Sequence, residues 1–258
     1  MKPEDVKIVF PLDVPTLEEG RVLMREVGEY IDIPKVGLEL IHYVGTPAAV
    51  SMPKEFGKLP FADVKLNDIP NTIKGAAKGL TMHGVYAFNV MASGGRPMME
   101  AALQGADEMA RELGIERPKV IAVTVLTSLK PEHLIELGLI PEKLMWMSEE
   151  EKQDAVTELT IRWARAAVKA GVDILLSSPK ESADLHVRWP NMNLYSPGIR
   201  LPDSPPDDQS RTMTPGEAVL NGVKYLVIGR PIRKPEGRKT RKQVIEEIRA
   251  DIVKALSA

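Results

Sequence analysis

The sequence predicts an α/β protein that folds as one closed (β/α)8 (TIM) barrel, because short β-rich runs alternate with longer helical patterns along its whole length. Strands that alternate with helices are expected to be parallel, since parallel neighbours need crossover connections. Eight such units in 258 residues fit a closed barrel better than the alternative, an open doubly wound sheet. No linker-like or low-complexity tract divides the chain, so residues 1–258 are expected to form a single domain.

The strands are predicted from eight short apolar runs, several of which are flanked by Gly, Pro or Asp, where strands stop and loops begin. These runs are residues 6–12, 31–36, 61–65, 86–90, 120–125, 172–177, 193–196 and 225–229. The run at 193–196 is the weakest of the eight because it rests on only four residues.

The helices are predicted from apolar residues that recur at a spacing of three and four. The first has a capping box, Thr16 with Glu19, at its start and Gly28 at its end. Another begins at Thr214, with Pro215 at the first helical position. Four further apolar faces are Ile73, Ala76, Ala77 and Leu80; Met98, Ala102, Met109 and Leu113; Val156, Leu159, Trp163, Ala167 and Ala170; and Val244, Ile248, Ile252 and Leu256.

Composition excludes several classes of protein. The chain has no cysteine, which excludes a disulfide scaffold, a Cys-ligated metal site and thiol catalysis. Its 34 basic and 36 acidic residues argue against a protein that binds nucleic-acid polymers or anionic membranes. No apolar run approaches the roughly 20 residues of a membrane span. Residues 1–5 lack the pattern of a signal peptide, so a cytoplasmic location is expected.

The most informative local segment is residues 61–72, in which charged side chains follow one another on a predicted strand. Asp63 and Lys65 are two residues apart and therefore project from the same face, with Asp68 in the following loop. Active sites of barrels are built at the C-terminal ends of their strands, and stability alone rarely favours buried charges there. Two alternatives are a structural ion pair and a metal site, although the ammonium between the acids opposes cation binding.

Charged residues also fall where other predicted strands end. Asp13 follows the first strand, Lys35 lies near the end of the second, and Arg230 follows the last. The same rim could therefore collect these three side chains together with Asp63 and Lys65.

The loops after strands seven and eight, which often bind phosphate in barrels, carry glycines and arginines. Pro197 opens the first of these segments and Arg200 ends it, while Gly229 and Arg230 form the second. Glycine permits close approach of an anion to the backbone, and arginine supplies a bidentate contact. With Gln209 in the polar segment 201–210, a candidate lid, these residues predict a ligand that ends in a phosphate.

Together these residues resemble the orotidine 5′-phosphate decarboxylase family along nearly the whole chain. The matching segments are Leu12-Asp13-Val14-Pro15, Lys35-Val36-Gly37-Leu38-Glu39, Asp63-Val64-Lys65-Leu66-Asn67-Asp68-Ile69-Pro70-Asn71-Thr72, Ala92-Ser93-Gly94-Gly95, Val123-Thr124-Val125-Leu126-Thr127-Ser128, Pro197-Gly198-Ile199-Arg200 and Val227-Ile228-Gly229-Arg230-Pro231-Ile232. Asp-x-Lys-x-x-Asp is shared with sugar-phosphate decarboxylases and synthases of the same barrel group. The extension through Thr72 is far more specific to the pyrimidine enzymes.

The resemblance implies a homodimeric barrel without metal or organic cofactor that converts orotidine 5′-monophosphate to uridine 5′-monophosphate. It implies that Lys65 delivers a proton to ring carbon 6, flanked by Asp63 and Asp68, and that Lys35 completes the charge chain. Asp68 and Thr72 are expected to reach across from the partner subunit. The implied substrate contacts are Asp13 to the ribose and base, Thr127 to the pyrimidine, the Pro197 segment, and Arg200, Gln209, Gly229 and Arg230 to the phosphate.

The sequence departs from the family pattern at two positions. Asn67 and Met91 stand where histidine is common in the family. Neither position belongs to the implied charge chain, so these departures bear on local packing or loop contacts more than on the chemistry. Two other functions stay open at this point: a Mg²⁺-dependent sugar-phosphate decarboxylase, and a catalytically silent phosphate-binding or scaffold protein.

Overall fold

The eight strands close into a barrel in a computed structural model that describes residues 1–201 and 212–257. They are β1 Lys7–Pro11, β2 Ile33–Gly37, β3 Phe61–Leu66, β4 Ala87–Met91, β5 Lys119–Val123, β6 Ile174–Leu176, β7 Asn193–Ser196 and β8 Val223–Val227. Each strand is parallel to the next in sequence, and β8 pairs with β1, with Val9 opposite Val227. This closure confirms the predicted fold class and excludes the open sheet.

All eight predicted strands are present, but their bounds differ from the prediction in places that matter for the site. Strand β6 is only three residues long, and β8 ends at Val227. Gly229 and Arg230 therefore lie beyond the last strand rather than at its end. Lys35 lies in the middle of β2, deeper in the barrel than predicted. The charged residues of the rim thus come from different depths.

Helices connect the strands and cover the outside of the barrel. They are α1 Leu17–Val27, α2 Leu38–Val44, α3 Thr46–Ser51, α4 Pro70–Met82, α5 Arg96–Leu113, α6 Pro131–Glu136, α7 Glu149–Ala170, α8 Pro179–Arg188, α9 Pro215–Leu220, α10 Arg230–Arg233 and α11 Arg241–Ser257. Short 3₁₀ turns occupy Pro3–Asp5, Met52–Phe56, Ala92–Gly94 and Glu142–Trp146. Within the two described ranges, no helix is both long enough and apolar enough to cross a bilayer.

The predicted caps explain where helices begin. The Thr16 hydroxyl accepts a hydrogen bond from the Glu19 N–H at 3.2 Å, and Thr214 does the same for Glu217 at the start of α9. One predicted apolar position is wrong: Leu113 is 45% exposed. Helix α5 instead buries a narrow stripe of small residues, which lets it lie close to its neighbour α4.

The lumen of the barrel is filled by one buried side chain from each strand. These residues are Val9, Ile33, Phe61, Ala87, Ile121, Ile174, Tyr195 and Tyr225. The rings of Tyr195 and Tyr225 stack with their centroids 5.9 Å apart. The rings of Phe61 and Tyr195 are packed edge to face, with their centroids 5.3 Å apart. This layer closes the barrel from below, so a ligand can enter only from the C-terminal ends of the strands.

Helix α5 lies close to the backbone of α4 at Gly105, and this contact can be tested by substitution. A Cβ added at Gly105 would lie 2.3 Å from the carbonyl oxygen of Lys74. Gly105→Ala should therefore force the helices apart and lower the free energy of unfolding. We expect a cost of about 1–3 kcal/mol from overpacking, above the gain of about 1 kcal/mol in helix propensity.

Gly79→Ala is the matched control, because Gly79 lies in α4 and has nothing within 4 Å of an added Cβ. It should keep or raise the stability measured by urea unfolding. If both variants gain stability equally, the contact between Gly105 and Lys74 does not fix the packing of the two helices.

Candidate functional site

A cavity of about 280 Å³ opens at the C-terminal ends of the strands. Nine of the twelve site residues predicted from the sequence line it: Asp13, Lys35, Asp63, Lys65, Thr127, Pro197, Arg200, Gly229 and Arg230. Among the residues that the structure describes, five cationic side chains and two carboxylates line this cavity, which therefore favours an anionic ligand. The fifth cation is Arg233, which the sequence analysis did not identify.

At the centre of the cavity, charges of alternating sign form a continuous row. The Lys35 ammonium lies 3.4 Å from Oδ1 of Asp13 and 2.9 Å from Oδ2 of Asp63. The Lys65 ammonium lies 2.6 Å from Oδ1 of Asp63. Asp63 and Lys35 are almost enclosed, whereas a third of the Lys65 side chain is exposed. Lys65 is therefore the more accessible of the two ammonium groups in the row.

The row keeps its buried members ionised. Burial opposes ionisation of Asp63, but Lys35 and Lys65 outweigh it and hold the pKa of this carboxyl well below its usual range. Burial likewise disfavours the Lys35 ammonium, but Asp63 and Asp13 outweigh it and raise the pKa of Lys35 above its usual value. Both groups are therefore charged at neutral pH.

Gly37 at the end of β2 leaves space for this row. A Cβ at Gly37 would lie 3.1 Å from Nζ of Lys35 and 3.2 Å from Oδ1 of Asp13. A larger residue would thus press on the ion pair that links β1 to β2.

The backbone at Lys65 departs from regular strand geometry. The register between β3 and β4 shifts between Ala62 and Leu66, and Lys65 has a φ of +48°. In the described part of the chain it is the only residue other than glycine with a positive φ. Such a conformation costs on the order of 1–3 kcal/mol, and bulges of this kind re-aim side chains beside active sites.

Asn89 on β4 holds this irregular segment in place. It is fully buried, and its Nδ2 donates to Oδ1 of Asp63 at 2.7 Å. Its side-chain oxygen accepts from the backbone N–H of Lys65, also at 2.7 Å. One amide thus fixes both the carboxylate and the backbone of the neighbouring lysine. Asn89 was not predicted from the sequence, although an amide inside an otherwise apolar strand is a detectable signal.

Three predicted residues are not part of this cavity as the structure describes it. Asp68 and Thr72 are both exposed. Asp68 lies in the loop between β3 and α4, and Thr72 lies in the first turn of α4. Between them, Ile69 is 67% exposed. Gln209 and the predicted lid at 201–210, apart from Leu201, lie outside the described residues.

A second opening is larger but has different chemistry. It is a groove of about 1180 Å³ beside α6 and α7, where both arginines and glutamates line the surface. We place the candidate site at the barrel mouth because the buried ion row lies there. In the described ranges, no three His, Asp or Glu side chains converge as metal ligands.

Comparisons with known proteins identify the family of the chain. Residues 7–244 match the family model described as "Orotidine 5'-phosphate decarboxylase / HUMPS family". The chain is 44% identical over 228 residues to an orotidine 5′-phosphate decarboxylase of Moorella thermoacetica, covering 88% of this chain and 85% of that protein. It is 34% identical over 228 residues to one of Syntrophomonas wolfei, covering 88% and 90%.

A solved structure extends the likeness to the fold. The crystal structure of orotidine 5′-phosphate decarboxylase from Lactobacillus acidophilus matches with a TM-score of 0.77 at 26% identity. The match covers 96% of this chain and 99% of that one.

The double role of Asn89 gives the second prediction. Asn89→Ala removes both hydrogen bonds and leaves a buried carboxylate and a strained N–H without this partner. We expect the free energy of unfolding, measured in urea, to fall by about 2–3 kcal/mol. Asn191→Ala, in an exposed loop, should change it by less than about 0.5 kcal/mol. Equal stabilities for the two variants would show that Asn89 does not hold the bulge.

Proposed function

The chain belongs to the orotidine 5′-phosphate decarboxylase / HUMPS family, and we propose that it is a carboxy-lyase that converts orotidine 5′-monophosphate to uridine 5′-monophosphate and CO₂ in pyrimidine biosynthesis. The observation that carries this proposal is the row Lys35–Asp63–Lys65 inside a cavity with an excess of positive charge. A cytoplasmic location stays a prediction.

The charge of the substrate complements that of the cavity. Orotidine 5′-monophosphate carries a carboxylate on its ring and a phosphate of about two negative charges at neutral pH. In the described part of the chain, the lining of the cavity has three more cations than carboxylates. Long-range attraction therefore favours this ligand over the uncharged nucleoside and over nucleotides that lack the carboxylate.

The chemical problem of the reaction is a localised carbanion. When the bond between ring carbon 6 and the carboxylate breaks, CO₂ leaves and the electron pair stays in the plane of the ring, outside the π system. In our proposal the Lys65 ammonium lies beside carbon 6, stabilises this charge and then transfers a proton to the carbon. Lys65 is suited to this role because it is held by Asp63 yet partly exposed to the cavity.

Asp63 and Lys35 would act by holding Lys65 in place. The carboxylate of Asp63 fixes the position of the Lys65 ammonium at 2.6 Å, and Lys35 on its other side keeps that carboxylate ionised. Such a preorganised charge needs no reorganisation when the carbanion forms. Asp63 would also lie near the departing carboxylate of the substrate.

The other end of the cavity would hold the phosphate and ribose. We assign the phosphate to Arg200, Gly229 and Arg230, with Gln209 as a further contact on the proposed lid. Asp13 would contact the ribose and base, and Thr127 the pyrimidine, with Pro197 in the wall between them. All of these except Gln209 line the one cavity, which supports the assignment. Binding of the remote phosphate can then contribute to lowering the barrier at the ring.

We propose that the active protein is a homodimer in which Asp68 and Thr72 complete the site of the other subunit. Both residues are exposed and lie outside the cavity of their own chain. The neighbouring Ile69 offers an apolar contact that a second copy could cover. The carboxylate of Asp68 would then approach Lys65 from the side that is open in a single chain.

The proposed activity is tested directly by following the ultraviolet absorbance of orotidine 5′-monophosphate with pure protein and a chelator. Loss of absorbance that is insensitive to the chelator supports the proposal. A Mg²⁺-dependent sugar-phosphate enzyme would leave this substrate unchanged, and a silent phosphate-binding protein would bind it without turnover. Either result contradicts the proposal.

The third prediction concerns Lys65. Lys65→Ala should abolish turnover while the thermal unfolding curve stays that of a folded protein, because the proton donor is lost but the barrel is not. Lys78→Ala is the matched control, since Lys78 on α4 pairs with Glu108 on α5, away from the cavity. It should retain the activity of the parent protein. Near-normal turnover by Lys65→Ala would remove Lys65 from the chemistry.

The fourth prediction tests the shared site. Asp63→Ala and Asp68→Ala should each be nearly inactive alone. After subunit exchange, a mixed dimer contains one site with both carboxylates intact, so about a quarter of the parent's specific activity should return when the two proteins mix equally and reassort at random. Exchange is verified with two affinity tags. A verified mixed dimer without recovered activity would contradict sharing between subunits.

A further inference from the structure

Arg233 joins the two ends of the chain inside the cavity. It is the last residue of α10, three positions after Arg230. Its Nη1 donates to the backbone carbonyl oxygen of Asp13 at 2.7 Å, and its Nη2 lies 3.3 Å from Oδ2 of the same residue. One guanidinium therefore holds both the backbone and the side chain of a residue 220 positions away.

Arg233 is itself anchored from outside the cavity. Its backbone N–H donates to Gly229 at 2.8 Å, and its carbonyl oxygen accepts from Nη2 of Arg241 at 3.1 Å. Arg241, at the start of α11, pairs in turn with Glu26 on α1. Contacts that involve α10, α11 and α1 thus hold the backbone of Arg233 in place. The guanidinium therefore extends from a fixed backbone.

The Asp13 carboxylate lies between two cations. Oδ1 faces Lys35 at 3.4 Å and Oδ2 faces Arg233 at 3.3 Å. Lys35 lies closer to Asp63, at 2.9 Å, than to Asp13. If the Asp13 carboxylate were free to turn, it could move towards Lys35 and compete with Asp63 for the same ammonium.

We propose that Arg233 is a positioning residue that fixes Asp13 for contact with the substrate and keeps Lys35 directed to Asp63. This inference rests on the proposed function, and it assigns Arg233 a role distinct from the phosphate contacts of Arg200 and Arg230. Both terminal nitrogens of Arg233 are directed at Asp13. Its Nε is buried, and no described group bonds to it. The geometry therefore directs Arg233 to Asp13 rather than to a ligand.

A double-mutant cycle separates these roles. Arg233→Met is made in the parent protein and in Asp13→Ala, and each variant is tested for turnover of orotidine 5′-monophosphate and for the Kd of uridine 5′-monophosphate by calorimetry. In the parent background we expect Arg233→Met to raise KM and Kd about tenfold, which corresponds to roughly 1.4 kcal/mol of binding free energy. The kcat should stay within about threefold of the parent value. In Asp13→Ala the further change should be less than about twofold, because the group through which Arg233 acts is gone.

Arg249→Met is the matched control. Arg249 also donates to a backbone carbonyl and a carboxylate, those of Tyr30 at 3.0 Å and Asp32 at 3.1 Å, outside the cavity. Its loss should lower the melting temperature without changing KM or Kd. Arg233→Lys should restore part of the affinity, since an ammonium can replace one of the two contacts.

Three results would overturn the inference. An equal rise of Kd in both backgrounds would show that Arg233 acts on the ligand itself. An unchanged Kd in Arg233→Met, or a loss confined to stability as in Arg249→Met, would show that Arg233 has no positioning role. If the parent protein binds uridine 5′-monophosphate but does not turn over the substrate, the proposed function fails, while the Kd cycle still decides the role of Arg233.

Discussion

The carboxylate of Asp63 is the group on which the rest of the site depends. Burying a charge is expensive, and an ion pair inside a protein rarely stabilises it more than apolar packing would. Asp63 is tolerated because two ammonium groups and the amide of Asn89 surround it. Its lowered pKa and the raised pKa of Lys35 define a pH window. The stabilisation is complete between about pH 4 and pH 10, the ordinary values of Asp and Lys in an unfolded chain. It is lost as the pH falls through the pKa of folded Asp63 or rises through that of folded Lys35.

The barrel provides what this carboxylate needs. Parallel strands deliver Asp13, Lys35 and Asp63 from three neighbouring strands to one mouth, although they are distant in sequence. Below them the aromatic layer of Phe61, Tyr195 and Tyr225 fills the lumen and excludes water from the lower side of the row. Low polarity on that side strengthens each ion contact above it. The same layer leaves the Tyr195 hydroxyl buried, with no partner among the described groups.

Much of this could be predicted from the sequence, and the failures have physical causes. Alternating strand and helix patterns predicted all eight strands, since periodicity reports which face is buried. Capping at Thr16 and Thr214 was also predicted, because both partners of each hydrogen bond lie within four residues of each other. Helices α2, α3, α6, α8 and α10 were not predicted. Asn89 and Arg233 were not predicted because their partners are distant in sequence. The partners of Asn89 lie 24 and 26 positions away, and that of Arg233 lies 220 positions away. The positive φ of Lys65 depends on the bulge between β3 and β4, which no local pattern encodes.

In the proposed homodimer, the open side of Lys65 would face the partner subunit. Among the described residues, its ammonium contacts one carboxylate, that of Asp63, and a third of the side chain is exposed. Coulomb attraction on one side alone leaves a flexible four-carbon side chain free to turn into solvent. A second carboxylate on the open side would confine the ammonium between two anions, and Asp68 is the acid that follows β3 without a place in its own cavity. In the proposed homodimer, the positive φ of Lys65 would direct the lysine to a point where the two subunits supply its carboxylates.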